Sequence, residues 1–236
     1  MPERYMPLQK GLNILIFIPL FWACNSRQSI TPSLIDTPIP NTKMVMLKLP
    51  DSLGSVEILI PNRYDTSFSW THYSDCTGCG WRKYRFQPKL LPIFEESGWI
   101  WQDLLDSVDR FTISHSDYTD TLSWKNKLLD STLLKRFITA RHEMLLEMAK
   151  SDPKMRLVTA DTVQQINGSW FSIITGLNVD ASSGVISKYV MGSSTIRNND
   201  LTLMFELRTK NNDSLARYFI ENCLNLLNKI KIRNGI

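Results

Sequence analysis

Residues 155–209 read MRLVTADTVQQINGSWFSIITGLNVDASSGVISKYVMGSSTIRNNDLTLMFELRT, and their punctuation decides the fold. Four apolar, β-branched runs are separated by Asn167-Gly168, by DASSG (180–184) and by RNND (197–200). Asn-Gly is the pair favoured in a two-residue hairpin turn, where the residues must accept positive φ. Strand-length runs broken at this spacing predict a four-stranded antiparallel meander.

Working outward, Asn212 or Asp213 is placed to cap a closing helix, since a short polar side chain there accepts from a free backbone N–H. Ala216, Phe219, Cys223, Leu227 and Ile230 then recur at helical steps and form one apolar stripe. Upstream, residues 128–150 carry Leu129, Leu133, Phe137, Ala140, Met144 and Met148 at three- and four-residue intervals, predicting an amphipathic helix that buries this stripe. Asp152-Pro153 ends it, because the residue before proline avoids helical angles. Residues 44–49 and 56–60 are short apolar runs joined by PDSLG and read as two strands. FSWTHYS and WRKYRFQ alternate: Phe68, Trp70 and His72 share one face, Tyr84 and Phe86 another, with Trp81 opposite that pair beside Lys83 and Arg85. FTISHS (111–116) adds a further strand. The fold class is α+β: an antiparallel sheet of two N-terminal strands, an aromatic hairpin and the meander, covered by two main helices.

This element order resembles the PsbP-like fold, which includes a photosystem-associated subunit and several exported bacterial proteins. The resemblance implies a non-catalytic binding or assembly-support role.

The N-terminus speaks to compartment. A charged start (Glu3, Arg4, Lys10) precedes the ten apolar residues ILIFIPLFWA at 14–23, then Cys24. A ten-residue helix covers about half of a hydrocarbon core roughly 30 Å thick, and Pro19 interrupts its hydrogen-bond ladder. Residues 1–23 therefore read as an export signal. FWAC resembles the lipobox of bacterial lipoproteins, which implies cleavage before Cys24 and acylation (palmitate or a related chain) of that cysteine. Residues 25–42, NSRQSITPSLIDTPIPNT, are rich in Pro, Ser and Thr without period, so 24–42 reads as a lipidated cysteine plus tether. Residues 43–236 have the length of one domain. The expected location is the bacterial cell envelope, lipid-anchored and facing the periplasm or cell surface.

Composition supports a packed core, with 43% hydrophobic and 10% aromatic residues. The formal net charge is +4, and no dense basic run occurs beyond WRKYR at 81–85, which argues against nucleic acid as a partner.

Asp75-Cys76-Thr77-Gly78-Cys79-Gly80 holds the chain's one Cys-x-x-Cys pair. A thioredoxin-like role needs a helix N-terminus behind the first thiol, whereas strand-like aromatic segments flank this pair. Zinc needs about four ligands, and His72, Cys76 and Cys79 offer three. An oxidising envelope would instead close Cys76 to Cys79 as a disulfide across a hairpin tip, with Gly78 and Gly80 supplying the turn. Cys223, on the closing helix, reads as a buried small hydrophobe, the alternative being a bridge to one of the pair.

No G-x-S-x-G, P-loop or dinucleotide motif occurs, and no cofactor is expected. Arg141-His142-Glu143 lacks the second histidine of a zincin helix, because Leu146 stands there; His142 reads as part of a solvated helix face. Glu95-Glu96 is an adjacent carboxylate pair beside Ser97-Gly98, which reads as loop. Trp81, Tyr73, Lys83 and Arg85 form the candidate binding surface, since exposed aromatics present rigid contact area. Two readings stand: a lipid-anchored, non-catalytic binding or assembly module for an envelope protein or small ligand, and an envelope redox or metal-handling protein using Cys76 and Cys79.

Overall fold

Asn167 and Gly168 take φ of 47° and 87°, as the two-residue turn requires, and swing β6 (Leu157–Ile166) back into β7 (Ser169–Asp180). The computed structural model describes residues 41–50, 52–73, 80–91, 107–116, 130–151, 157–197 and 199–235. Before the meander come β1 (Thr42–Leu49), β2 (Gly54–Pro61), β3 (Thr66–His72), β4 (Trp81–Gln87), β5 (Val108–Ser116) and α1 (Ser131–Ser151). After β7 come β8 (Val185–Ile196), β9 (Asn199–Lys210), α2 (Ser214–Arg217), α3 (Phe219–Leu227) and β10 (Lys231–Asn234).

The protein is α+β with two antiparallel sheets. The larger has the order β3-β4-β5-β9-β8-β7-β6, so β5 joins the aromatic hairpin to the meander by pairing with β9. The smaller, β1-β2-β10, stands apart from it, where the sequence pointed to one sheet. Strand β10 was not expected, since KIRN carries no alternation of its own. It pairs with β2 from Lys231↔Glu57 to Asn234↔Gly54, and Lys231 and Arg233 both reach the Glu57 carboxylate.

Strict alternation on β2 and β9 builds one side of the core. Val56, Ile58 and Ile60 meet Leu201, Leu203, Phe205 and Leu207, joined by Phe86, Phe111 and Ile113 from β4 and β5. The closing helix lies in the same layer, with Ala216, Phe219, Cys223, Leu227 and Ile230 all buried as the stripe predicts. It is broken at Tyr218 into α2 and α3, and Asp213 is the cap, accepting from the Leu215 N–H at 2.9 Å. Gly192 makes room for α3: a Cβ there would sit 2.8 Å from Leu227 Cδ2.

Helix α1 covers the opposite face of the larger sheet, over β6, β7 and β8. Its packing corrects the sequence reading. Leu133, Phe137, Met144 and Met148 are exposed, as is Ala140, whereas Ile138, His142 and Ala149 are buried. Leu145 and Leu146 complete the contact with Ile174 and Tyr189. Leu129 lies outside the described residues. Both stripes have helical period, and the one that carries His142 faces inward because the sheet beneath it is mixed: Ile174 and Tyr189 take Leu145, Leu146 and Ala149, while Ser172 and Asp161 take the imidazole.

Two outcomes are expected. Gly176→Ala places a Cβ 2.0 Å from Tyr189 Cε1, so the ring must leave its seat; a loss of about 1–3 kcal/mol should appear in chemical denaturation. Asp213→Ala should cost about 1 kcal/mol through the lost cap. The Thr209 hydroxyl and then the Leu215 N–H hold the Asp213 carboxyl below its ordinary 3.8. Its contribution is therefore complete above that value and fades as pH falls through the lower folded value, so the gap between native and variant stability should close in acid.

Candidate functional site

Strands β3 and β4 pair in a register that sets Phe68 opposite Arg85, Trp70 opposite Lys83 and His72 opposite Trp81. All six side chains fall on the α1 side of the sheet, because alternation sends Tyr84 and Phe86 to the other face. The result is a ladder of rings and cations. Lys83 Nζ lies 4.4 Å from the Trp81 centroid and 5.8 Å from that of Trp70, while Arg85 Cζ lies 4.8 Å from Trp70 and 5.9 Å from Phe68. Phe68 and Trp70 stack at 5.6 Å, and His72 meets Trp81 edge-on at 6.2 Å. Cation–π contacts strengthen as water is excluded, to about 2 kcal/mol each.

This geometry divides the candidate binding surface. Tyr73 is 85% exposed and Trp81 42% exposed, but Lys83 is 8% and Arg85 1% exposed. The expectation of a solvent-facing Trp81-Lys83-Arg85 row is corrected: long cationic stems lie down along the aromatic faces instead of standing in water. Cys76 and Cys79 lie outside the described residues, as do Cys24 and Glu95-Glu96. His72 is exposed, and no group of three metal-binding side chains occurs among the described residues. Cys223 is a free, buried thiol, and burial pushes its pKa well up.

The ladder continues as a cross-strand row. Trp70 and Lys83 lead to Ser114 on β5, Thr202 on β9, Ser193 on β8 and Ser172 on β7. At that far end the row meets α1. His142 Nδ1 lies 2.9 Å from Ser172 Oγ, and its Nε2 lies 3.2 Å from Asp161 Oδ1. Arg141 pairs with Asp200 alongside, and the Trp170 indole N–H donates to Ser131 Oγ at 3.1 Å. His142 is thus a buried clamp and not the solvated residue expected from sequence.

Ser, His and Asp are the residue types of an acyl-transfer triad. Here Ser172 is 1% exposed, in mid-strand and beneath α1, so a substrate carbonyl has no approach to its oxygen. The set fastens helix to sheet. One signal could have exposed this role: 138, 142, 145 and 149 have the same spacing as the more apolar stripe, with histidine as the one polar member.

A second polar cluster joins the two sheets. Arg63 donates to Asp109 through Nε at 2.6 Å and through Nη2 at 3.1 Å, and the Tyr64 hydroxyl donates to the same carboxylate at 2.7 Å. Burial and the Asp109 charge push the Tyr64 phenol well above its ordinary range, so it stays a hydrogen-bond donor at all physiological pH.

Fold and site together define an α+β protein with a ring-and-cation ladder at one sheet edge. No family model and no curated protein matches the chain. Solved structures similar to it include LpqN, involved in cell envelope biogenesis of Mycobacterium tuberculosis, at 8% identity and a TM-score of 0.34, covering 81% of this chain and 91% of that one. A Bacteroides thetaiotaomicron protein is similar at 9% identity and a TM-score of 0.30, over 76% of this chain and 45% of its own. Protein PA94 of Pseudomonas aeruginosa, of unknown function, follows at 11% identity and 0.29, over 81% and 99%. At these scores no activity is transferred from them.

His142→Ala strands the buried Ser172 hydroxyl and should cost about 1–3 kcal/mol. The loss should be read as faster hydrogen exchange across α1, with β9 amides retaining their protection.

Proposed function

We propose that the protein is a lipid-anchored component of the bacterial cell envelope, acting as a non-catalytic binding or assembly module. Anchoring is supported by the sequence alone: a short apolar run ending in FWAC, then a Pro/Ser/Thr-rich tether from Cys24 to residue 42. Two or three acyl chains, at about 0.8 kcal/mol per buried methylene, suffice to hold a body made of residues 43–236 at a membrane. No helix among the described residues is long and apolar enough to cross one.

One observation carries the binding role. Tyr73 and Trp81 stand exposed where the β3–β4 hairpin ends, and the stacked cations and rings behind Trp81 fix its orientation. A Trp81 ring already held in place loses little conformational entropy on contact, and Tyr73 adds exposed aromatic area, which suits the hairpin end to anchoring an envelope protein or a small ligand. The PsbP-like element order agrees with a non-catalytic role, although fold alone does not fix function.

Mass spectrometry of the membrane-extracted protein tests the anchor. Acyl chains on Cys24 are expected, with Cys76 and Cys79 lighter than free thiols by their two hydrogens. An unmodified Cys24 in a soluble extracellular form would sink the reading. A photo-crosslinking residue at the exposed position 72 beside Trp81, installed in the living envelope, should give a discrete adduct that Trp81→Ala or Tyr73→Ala weakens about tenfold or more. Cys76→Ser with Cys79→Ser should leave that adduct intact. Thiols that react well below pH 8, or metal retained through dialysis, would instead favour redox or metal handling.

A further inference from the structure

We infer that the outer face of α1 is a self-association surface, on which a second copy of this chain docks antiparallel about a two-fold axis. Leu133, Phe137, Met144 and Met148 are all exposed along α1. They lie roughly a third of a turn around the helix from the Ile138–His142–Ala149 face that grips the sheet. An apolar stripe of this length on a solvated helix face marks a contact surface.

The stripe is symmetric. Leu133 and Met148 are equidistant from the Ala140–Arg141 peptide bond, and so are Phe137 and Met144. A two-fold axis at the level of that bond, midway between two antiparallel helices, sets Leu133 against Met148 of the second copy and Phe137 against its Met144. The small Ala140 side chain falls at the crossing, where helix axes approach to about 8–10 Å. An isologous contact needs this self-complementarity.

Charge selects the orientation. Arg136, Glu143 and Glu147 line one flank of the stripe, all exposed. The same rotation brings Arg136 between Glu143 and Glu147 of the second copy, one cation facing two carboxylates on each side of the axis. A parallel two-fold would instead carry this flank to the far side of the second copy, so that Arg136 faces the Leu134 and Arg141 side and meets no carboxylate there. Lys150 holds Glu147 at 3.1 Å within one chain, and both are largely exposed. Such a pair contributes little and exchanges readily.

The stripe spans about 22 Å along the helix. That gives a contact at the small end of specific interfaces, and hence a reversible dimer. Confinement of both copies to one membrane would raise their effective concentration; this last step rests on the lipid anchor, whereas the docking geometry does not.

The test uses the full chain in mild detergent carrying Ala140→Cys, with Thr139→Cys, which faces away from the stripe, as the control. Ala140→Cys should form a covalent dimer about tenfold faster or more, an enrichment expected for a specific encounter. Adding Arg136→Glu should slow it by a similar factor, and adding Glu143→Arg with Glu147→Arg should restore it, since only antiparallel pairing reunites the swapped charges. Circular dichroism should remain that of the native chain, because every altered side chain except the control is exposed. Equal rates for the two cysteines overturn the inference, and so does indifference to Arg136→Glu. Sedimentation of the unlipidated Cys24→Ser chain with anionic phospholipid vesicles that is lost on Phe137→Glu, without any covalent dimer, also overturns it and gives the face to lipid.

Discussion

The pairing of β5 with β9 is the constraint on which the rest of the molecule depends. It brings Phe111 to a centroid distance of 4.2 Å from Phe205 and lets Arg110 reach Glu206, 96 residues away, at 2.6 Å. Phe86 stacks on Phe111 from the other side, so the aromatic hairpin enters the core through this one strand. Asp109, on the same strand, receives Arg63 and Tyr64 from the chain between β2 and β3. Without that junction the meander would lack a neighbour for β9, and the smaller sheet would lose a buried link. A long closure is entropically costly, and it grows only slowly with length, so a few large buried rings can offset it.

The larger sheet has two faces of different character, and this organises its partners. Leu201, Leu203, Phe205 and Leu207 make the centre of one face apolar, and against it lie the smaller sheet and the closing helix. The other mixes an apolar patch around Ile174 and Tyr189 with a hydroxyl row and a ladder of cations and rings. A helix that settles there needs a polar group at its contact, because a buried hydroxyl without a partner costs about 1–3 kcal/mol. His142 supplies that group. The consequence reaches the surface: seating α1 through His142 turns Phe137 and Met144 outward, and the proposed self-association follows from that rotation.

Much of the architecture was legible from local chemistry. Asn167-Gly168 turned where such a pair must, the closing stripe from Ala216 to Ile230 went inward, and Asp213 capped. These are short-range effects in which a residue and its near neighbours contain the whole argument. The candidate site was legible by half. The shared face of Trp81, Lys83 and Arg85 follows from alternation, but the burial of the two cations does not, since period cannot say that rings from β3 will lie across their stems.

Local pattern in the chain suffices for nine of the ten strands, the helices, their order and the buried stripe of the closing helix, because periodicity and turn chemistry act within a few residues. Long-range packing alone divides the strands into two sheets and brings KIRN in to complete the smaller one. It also turns the His142 face of α1 inward. Each of those outcomes depends on a surface assembled from distant segments, and a helix with two stripes of equal period has no local reason to prefer either until a sheet with both apolar side chains and a buried serine lies beneath it.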